Sequence, residues 1–198
     1  MRMILSFLVF LTTAALSVAA PVIAIQPMGP MTAERLATVK KVLETTYGVE
    51  VEILETKPLP KEAWYEPRSR YRAEKLLTFL DAKTPEKYRI VIGLTAKDIS
   101  TTKEEHEDWG IFGLGELDGR VCVVSTFRLG ARGADEAKLR VRLRNVAVHE
   151  VGHVMALEHC PIKGCVMQDA ESSIETVDRE TGEFCDDCKV KWPRWLNG

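Results

Sequence analysis

Apolar and polar positions change period several times along this chain, and each change marks an element. VIAIQP, residues 22–27, is a short apolar run ended by Pro27 and Gly29, which predicts a strand. In TAERLATVKKVLETTYG the apolar residues Leu36, Val39, Val42 and Leu43 recur at helical spacing, with Thr32 placed to cap the start and Gly48 to stop the end. VEVEILE alternates apolar and acidic residues, as a half-buried strand does. KPLPKEAWYEPR reads as a proline-punctuated loop. RYRAEKLLTFL reads as a second helix with Tyr71, Leu76, Leu77 and Leu80 inward, and YRIVIGLT as a strand bounded by Pro85 and Gly93. IFGLGEL and RVCVVSTF are two short strands joined through a turn at Asp118-Gly119. ADEAKLRVRLRNVAVHEVGHVMALEH predicts one long helix facing the core with Leu139, Leu143, Val146 and Val154. Beyond Cys160 the regularity fades, so something other than a packed core must hold the tail.

Strands alternating with helices, then a hairpin and a long helix, predict an α/β fold: a mixed sheet backed by helices, with an irregular C-terminal part. The 198 residues suffice for one domain with a real core, here residues 21–198, and no repeat or linker divides them. A net charge of −2 gives no electrostatic case for nucleic acid or an anionic membrane surface. The basic cluster KLRVRLR, residues 138–144, reads as a solvated helix face. A monomer is expected.

The N-terminus differs from the rest. Arg2 precedes an apolar run to Ala20, interrupted only by Ser6, Thr12, Thr13 and Ser17 and ended by small residues before Pro21. This is the pattern of a secretory signal peptide over residues 1–20, with an uncleaved anchor as the competing reading. It predicts an exported protein, periplasmic or secreted, that leaves the membrane once the signal is cleaved.

The chemistry concentrates in HEVGHVMALEHCPIKGCVMQ, residues 149–168. His149, Glu150 and His153 form HExxH on the long helix. Residues four apart share a helix face, so both imidazoles reach one ion, and Glu150 can take a proton from a water that the metal activates. A catalytic zinc needs a third protein ligand. His159 is the candidate if the chain bends near position 156; Glu171 and Glu175 compete from further along. His159 is favoured because CPIKGC follows it, and Pro161 and Gly164 forbid a continuing helix.

Of five cysteines, Cys122 in RVCVVST reads as a buried strand thiol. Cys160 with Cys165, and Cys185 with Cys188, form two short-spaced pairs suited to a tetrahedral structural zinc. Two disulfides running between the pairs are the alternative if the protein is exported.

HEVGHVMALEHCPIKGCVM followed by FCDDC resembles the archaemetzincins, metzincin-type zinc proteases that join an HExxHxxGxxH site to four cysteines holding a second zinc. IAIQPMG, LPKEAWYEPRSRYRAEKLL and FGLGELDGRVCVVSTFRL resemble family segments as well, so the similarity spans about residues 22–198. The resemblance implies a metzincin-like catalytic domain with two zinc ions. His149, His153 and His159 would bind the catalytic ion and Cys160, Cys165, Cys185 and Cys188 the structural one. Glu150 would be general base and then proton donor to the leaving amine. Met167 would be the methionine of the turn beneath the metal, packing rather than ligating. Glu158 matches no family ligand and reads as surface.

Two features depart from the family pattern. Ala156 stands where the family has the glycine of the bend, at a cost on the order of 1 kcal/mol. The N-terminal signal pattern is the other, since the resemblance alone implies an intracellular protein. The expected function is zinc-dependent hydrolysis of peptide bonds in a peptide or protein substrate lying extended along IFGLGEL. The alternative is a catalytically silent, zinc-stabilised binding module.

Overall fold

The computed structural model describes residues 22–193. The signal pattern at residues 1–20 lies outside the described residues. A five-stranded sheet in the order β2-β1-β5-β9-β8 forms the centre, built from β1 (Val22–Pro27), β2 (Glu50–Ile53), β5 (Ile90–Thr95), β8 (Gly113–Gly115) and β9 (Val121–Ser125). Its first four strands run parallel, and β8 is an antiparallel edge strand paired to β9. Strand side chains alternate between faces. Ile23, Ile25, Ile90, Ile92, Leu94 and Val124 therefore enter one core, and Ala24, Val91, Val121 and Val123 the other. The first core is covered by α1 (Ala33–Tyr47) and α3 (Glu136–Val154), the second by α2 (Ala73–Lys83). Mixed sheet and flanking helices agree with the fold expected from the sequence.

Local chemistry explains the helix limits. Thr32 accepts a hydrogen bond from the Arg35 backbone N–H at the start of α1, and Gly48 closes the end at φ 66°. Val39, Leu43 and Tyr47 bury the inner face, while Leu36 and Val42 are only partly covered. Asp135 caps α3 by accepting from the Lys138 N–H at 2.8 Å.

Three local expectations are corrected. Arg70–Arg72 is a strand, β4, so α2 begins at Ala73; Tyr71 pairs with Trp64 and Ile99 instead of facing inward from a helix. This strand belongs to a second sheet, β3-β4-β6-β7, with β3 (Trp64–Tyr65), β6 (Ile99–Lys103) and β7 (His106–Ile111). The expected strand IFGLGEL is divided, its first residue ending β7 and its middle forming β8. The basic cluster is not wholly solvated: Arg142 is 1% exposed. Its guanidinium makes a two-pronged ion pair with Asp178 at 2.7 and 2.8 Å, and donates to the backbone oxygens of Leu129 and Ala131 at 2.6 and 2.9 Å. A planar guanidinium satisfied at every edge tolerates such burial. The pair ties α3 to α4 (Ile174–Arg179) and so fixes the tail that completes the site.

Candidate active site

The site is built where α3 ends. His149 and His153 project from its last turns, and Glu150 is almost fully buried beside them. Helix α3 then stops in a two-bond left-handed cap. The Ala156 N–H donates to the His153 oxygen at 2.9 Å and the Leu157 N–H to the Gly152 oxygen at 3.0 Å, with Ala156 at φ 67°. The bend expected near position 156 falls on that residue. It turns the chain back so that His159 faces the two helix histidines, with ring centroids 4.8 Å from His153 and 5.4 Å from His149.

One potential ligand atom from each histidine lies within 4.8 Å of the others. The His149 Nδ1 lies 2.7 Å from the Val166 oxygen and the His153 Nδ1 2.7 Å from the Leu157 oxygen. A carbonyl only accepts, so each Nδ1 carries the proton and each Nε2 presents a lone pair. Those two Nε2 atoms sit 3.0 Å apart. Neutral imidazoles in these tautomers cannot hydrogen-bond to each other there, and protonating one is opposed. Burial, with His153 nearby, pushes the His149 pKa down to about 3, and burial lowers that of His153. A shared cation satisfies both lone pairs. Ligands at tetrahedral zinc–nitrogen distance stand about 3.3 Å apart, within a few tenths of an ångström of the geometry here.

The glutamate is held by the edge strand. A Cβ added to Gly113 would lie 2.5 Å from Glu150 Oε1, and one added to Gly115 would lie 2.6 Å from the Glu150 backbone oxygen and 2.9 Å from His153 Cβ. Strand β8 thus approaches the helix as only glycine permits. Burial pushes the Glu150 carboxyl up to about 8, and a hydrogen bond involving the Gly115 backbone opposes that rise. Met167 is fully buried under Gly152, where an added Cβ would meet its sulfur at 2.4 Å, so it packs beneath the turn that carries His149 and His153.

The four cysteines converge next door. Cys160 and Cys185 sulfurs are 3.7 Å apart and Cys165 and Cys188 sulfurs 3.8 Å, all four thiols being free. A disulfide requires about 2.05 Å. Four sulfurs about 2.3 Å from a central zinc stand about 3.8 Å apart, which both of these pairs match, and all four sulfurs lie within 4.8 Å of one another. Burial raises the Cys188 pKa, and the neighbouring thiols raise it further. The cysteine site joins the chain just after His159 to α5 (Asp186–Lys189).

A cleft of about 440 Å³ opens over the histidines, walled by β8, α3, Trp109 and Ile111 of β7, and residues 169–180. Ser172 fastens this tail segment to β7, accepting from Trp109 Nε1 at 2.7 Å and donating to the Gly110 oxygen at 3.0 Å. Glu158 is exposed at the rim. Of the competing ligands, Glu175 pairs with Arg132, and Glu171 lines the cleft outside the group of converging ligand atoms. Sequence reasoning missed Asp169, whose carboxylate lies 3.5 Å from His159 Nδ1, and also Gly113, Gly115 and Glu180. Only the two glycines left a signal, as an interruption of an otherwise apolar strand.

This fold and this arrangement of groups are those of a zinc metallopeptidase. The chain belongs to peptidase family M54, whose sequence profile matches residues 34–194. It is 32% identical to the archaemetzincin of Halobacterium salinarum, over 83% of this chain and 95% of that one. The crystal structure of archaemetzincin from Methanopyrus kandleri superposes with a TM-score of 0.78 at 28% identity, over 90% of this chain and 97% of that one. That from Archaeoglobus fulgidus gives 0.73 at 30% identity, over 86% and 99%.

The expectation of export is corrected by these relatives. They are archaemetzincins of archaea, including Methanocaldococcus jannaschii, and give an exported protein no support. An apolar N-terminal run reports hydropathy alone, which is why the sequence reading went astray. Among the described residues no helix is long and apolar enough to cross a membrane.

Proposed function

We propose that this metallopeptidase cleaves peptide bonds with Glu150 as its proton carrier and with two zinc ions. His149, His153 and His159 hold one ion; Cys160, Cys165, Cys185 and Cys188 hold the other, which is structural. The observation that carries the reading is the meeting of three histidines, two of them with their Nε2 lone pairs turned inward, beside one buried carboxyl. Bound at the histidines, zinc supplies Lewis acidity, polarising a carbonyl and lowering the pKa of a water.

The residues divide the remaining work. A Glu150 carboxylate oxygen takes the proton of the attacking water and then delivers it to the nitrogen of the leaving amine. The Val166 and Leu157 carbonyls fix two imidazole tautomers, and Asp169 faces the third ring. Met167 supports the turn from below. Strand β8 is the outermost strand of its sheet and lines the cleft, so an extended substrate adds to it as a further strand. The working unit in this reading is a monomer.

Glu150→Gln keeps the volume of the side chain and removes its basicity. The variant should retain wild-type zinc and lose peptide hydrolysis, measured by mass spectrometry on a peptide library. Full activity in this variant would overturn the mechanism.

A further inference from the structure

One wall of the cleft is not used by the chemistry above. Val146, one turn before Glu150 on α3, lines it together with Val177 and Glu180 at the end of α4. The two segments are fastened side by side, because the Asn145 side-chain amide donates to the Glu180 backbone oxygen at 3.4 Å. The Glu180 carboxyl itself forms no hydrogen bond or ion pair with any described residue. Burial alone pushes it up to about 8, and its charge in turn raises Glu150, so it stands within electrostatic reach of the reacting centre.

Neighbouring cations are engaged elsewhere. Arg179 donates to the Glu175 backbone oxygen at 3.0 Å, and Arg144 lies 3.4 Å from the Asn145 amide oxygen. Lys103 lies over the Trp109 ring, 5.9 Å from its centroid. The other carboxylates of the cleft, Glu158, Asp169 and Glu171, have the same sign as Glu180. Two valines beside an unpaired, half-buried carboxylate match one kind of side chain, an aliphatic stem ending in a cation.

We infer that Glu180 is a specificity-determining residue that selects lysine or arginine next to the scissile bond, pairing with the cationic head while Val146 and Val177 hold the stem. This rests on the peptidase reading above. A lodged cation opposes the rise that burial causes, so the carboxyl ionises as the cation binds, and the pair forms at a site sheltered enough to count.

The test uses the zinc-loaded protein and peptides that differ only in lysine, arginine or norleucine at positions flanking the cleaved bond. Wild type should favour lysine or arginine over norleucine in kcat/KM by roughly ten- to a hundredfold, the worth of one charge-assisted contact. Glu180→Gln should collapse that ratio toward one. Wild type with no such preference, or a variant that keeps it, overturns the inference. If no peptide is cleaved, the peptidase reading fails separately, and binding decides this one. Fluorescence anisotropy should then show the lysine peptide bound more tightly than the norleucine peptide by wild type and equally by Glu180→Gln; equal binding of both by wild type overturns it.

Discussion

Ala156 allows a signed test of how the third histidine is placed. Its backbone is left-handed at φ 67°, its methyl is exposed, and its N–H completes the cap that ends α3. A non-glycine residue in this region loses about 1–2 kcal/mol relative to right-handed backbone. Glycine removes that strain but adds unfolded-state freedom worth about 0.4–1 kcal/mol. Little buried area is lost with an exposed methyl, so Ala156→Gly should stabilise the fold by about 0.5–1 kcal/mol. For a chain of this length that raises Tm by roughly 1–4 °C. Ala156→Val should move it the other way, because a β-branched residue fits positive φ worse than alanine. Both are read by calorimetry at equal protein and zinc concentrations, with zinc content measured alongside. A glycine variant less stable than wild type, or a valine variant as stable, would refute a left-handed bend at this residue.

Other perturbations test the supports of the site. Gly113→Ala places a methyl only 2.5 Å from Glu150 Oε1 and must push the carboxyl aside; hydrolysis should fall by about a hundredfold with zinc retained, as a 1 Å displacement of a catalytic group predicts, and unchanged kcat would contradict the close approach. Asp178 is held down to about 2, first by its hydrogen bonds from Arg142 and then by Lys138. A depressed carboxylate pKa contributes stability above the unfolded value near 4 and loses it as pH falls toward 2. The gap in urea midpoint between wild type and Asp178→Asn should therefore be full above about pH 5 and shrink below pH 4; a gap that widens on acidification would contradict the pair.

Much of the site could be read from spacing, because the ligand rule is local. Four residues are one helical turn, so HExxH places His149 and His153 on one face, and Pro161 and Gly164 forbid a helix that continues smoothly past His159, while the stop at Val154 itself carries no proline or glycine signal. Thr32 and Gly48 likewise announced α1. The second sheet was illegible for a physical reason: ISTTK buries only Ile99 and the polar Ser100, and HEDWGI buries no residue fully, so neither carries the apolar alternation that signals a strand. RYR reads as the first turn of α2 only by counting Tyr71 on its apolar face, although a residue five positions before Leu76 lies about 140° away around a helix. The solvated reading of Arg142 failed because its partner, Asp178, is 36 residues away and invisible to a local pattern. Asp169 and Glu180 enter the cleft only through the folding of the tail, which the cysteine site and the Arg142 pair position.

Zinc content before and after mild chelation bears most directly on the two-site account. Two zinc ions per chain should be found in the purified protein. A chelator should remove one of them together with hydrolysis, and added zinc should restore both. His159→Ala should retain only the tightly held ion. One tightly bound zinc in wild type, with no labile ion and no peptide hydrolysis at any zinc concentration, would contradict the account and leave a zinc-stabilised binding module.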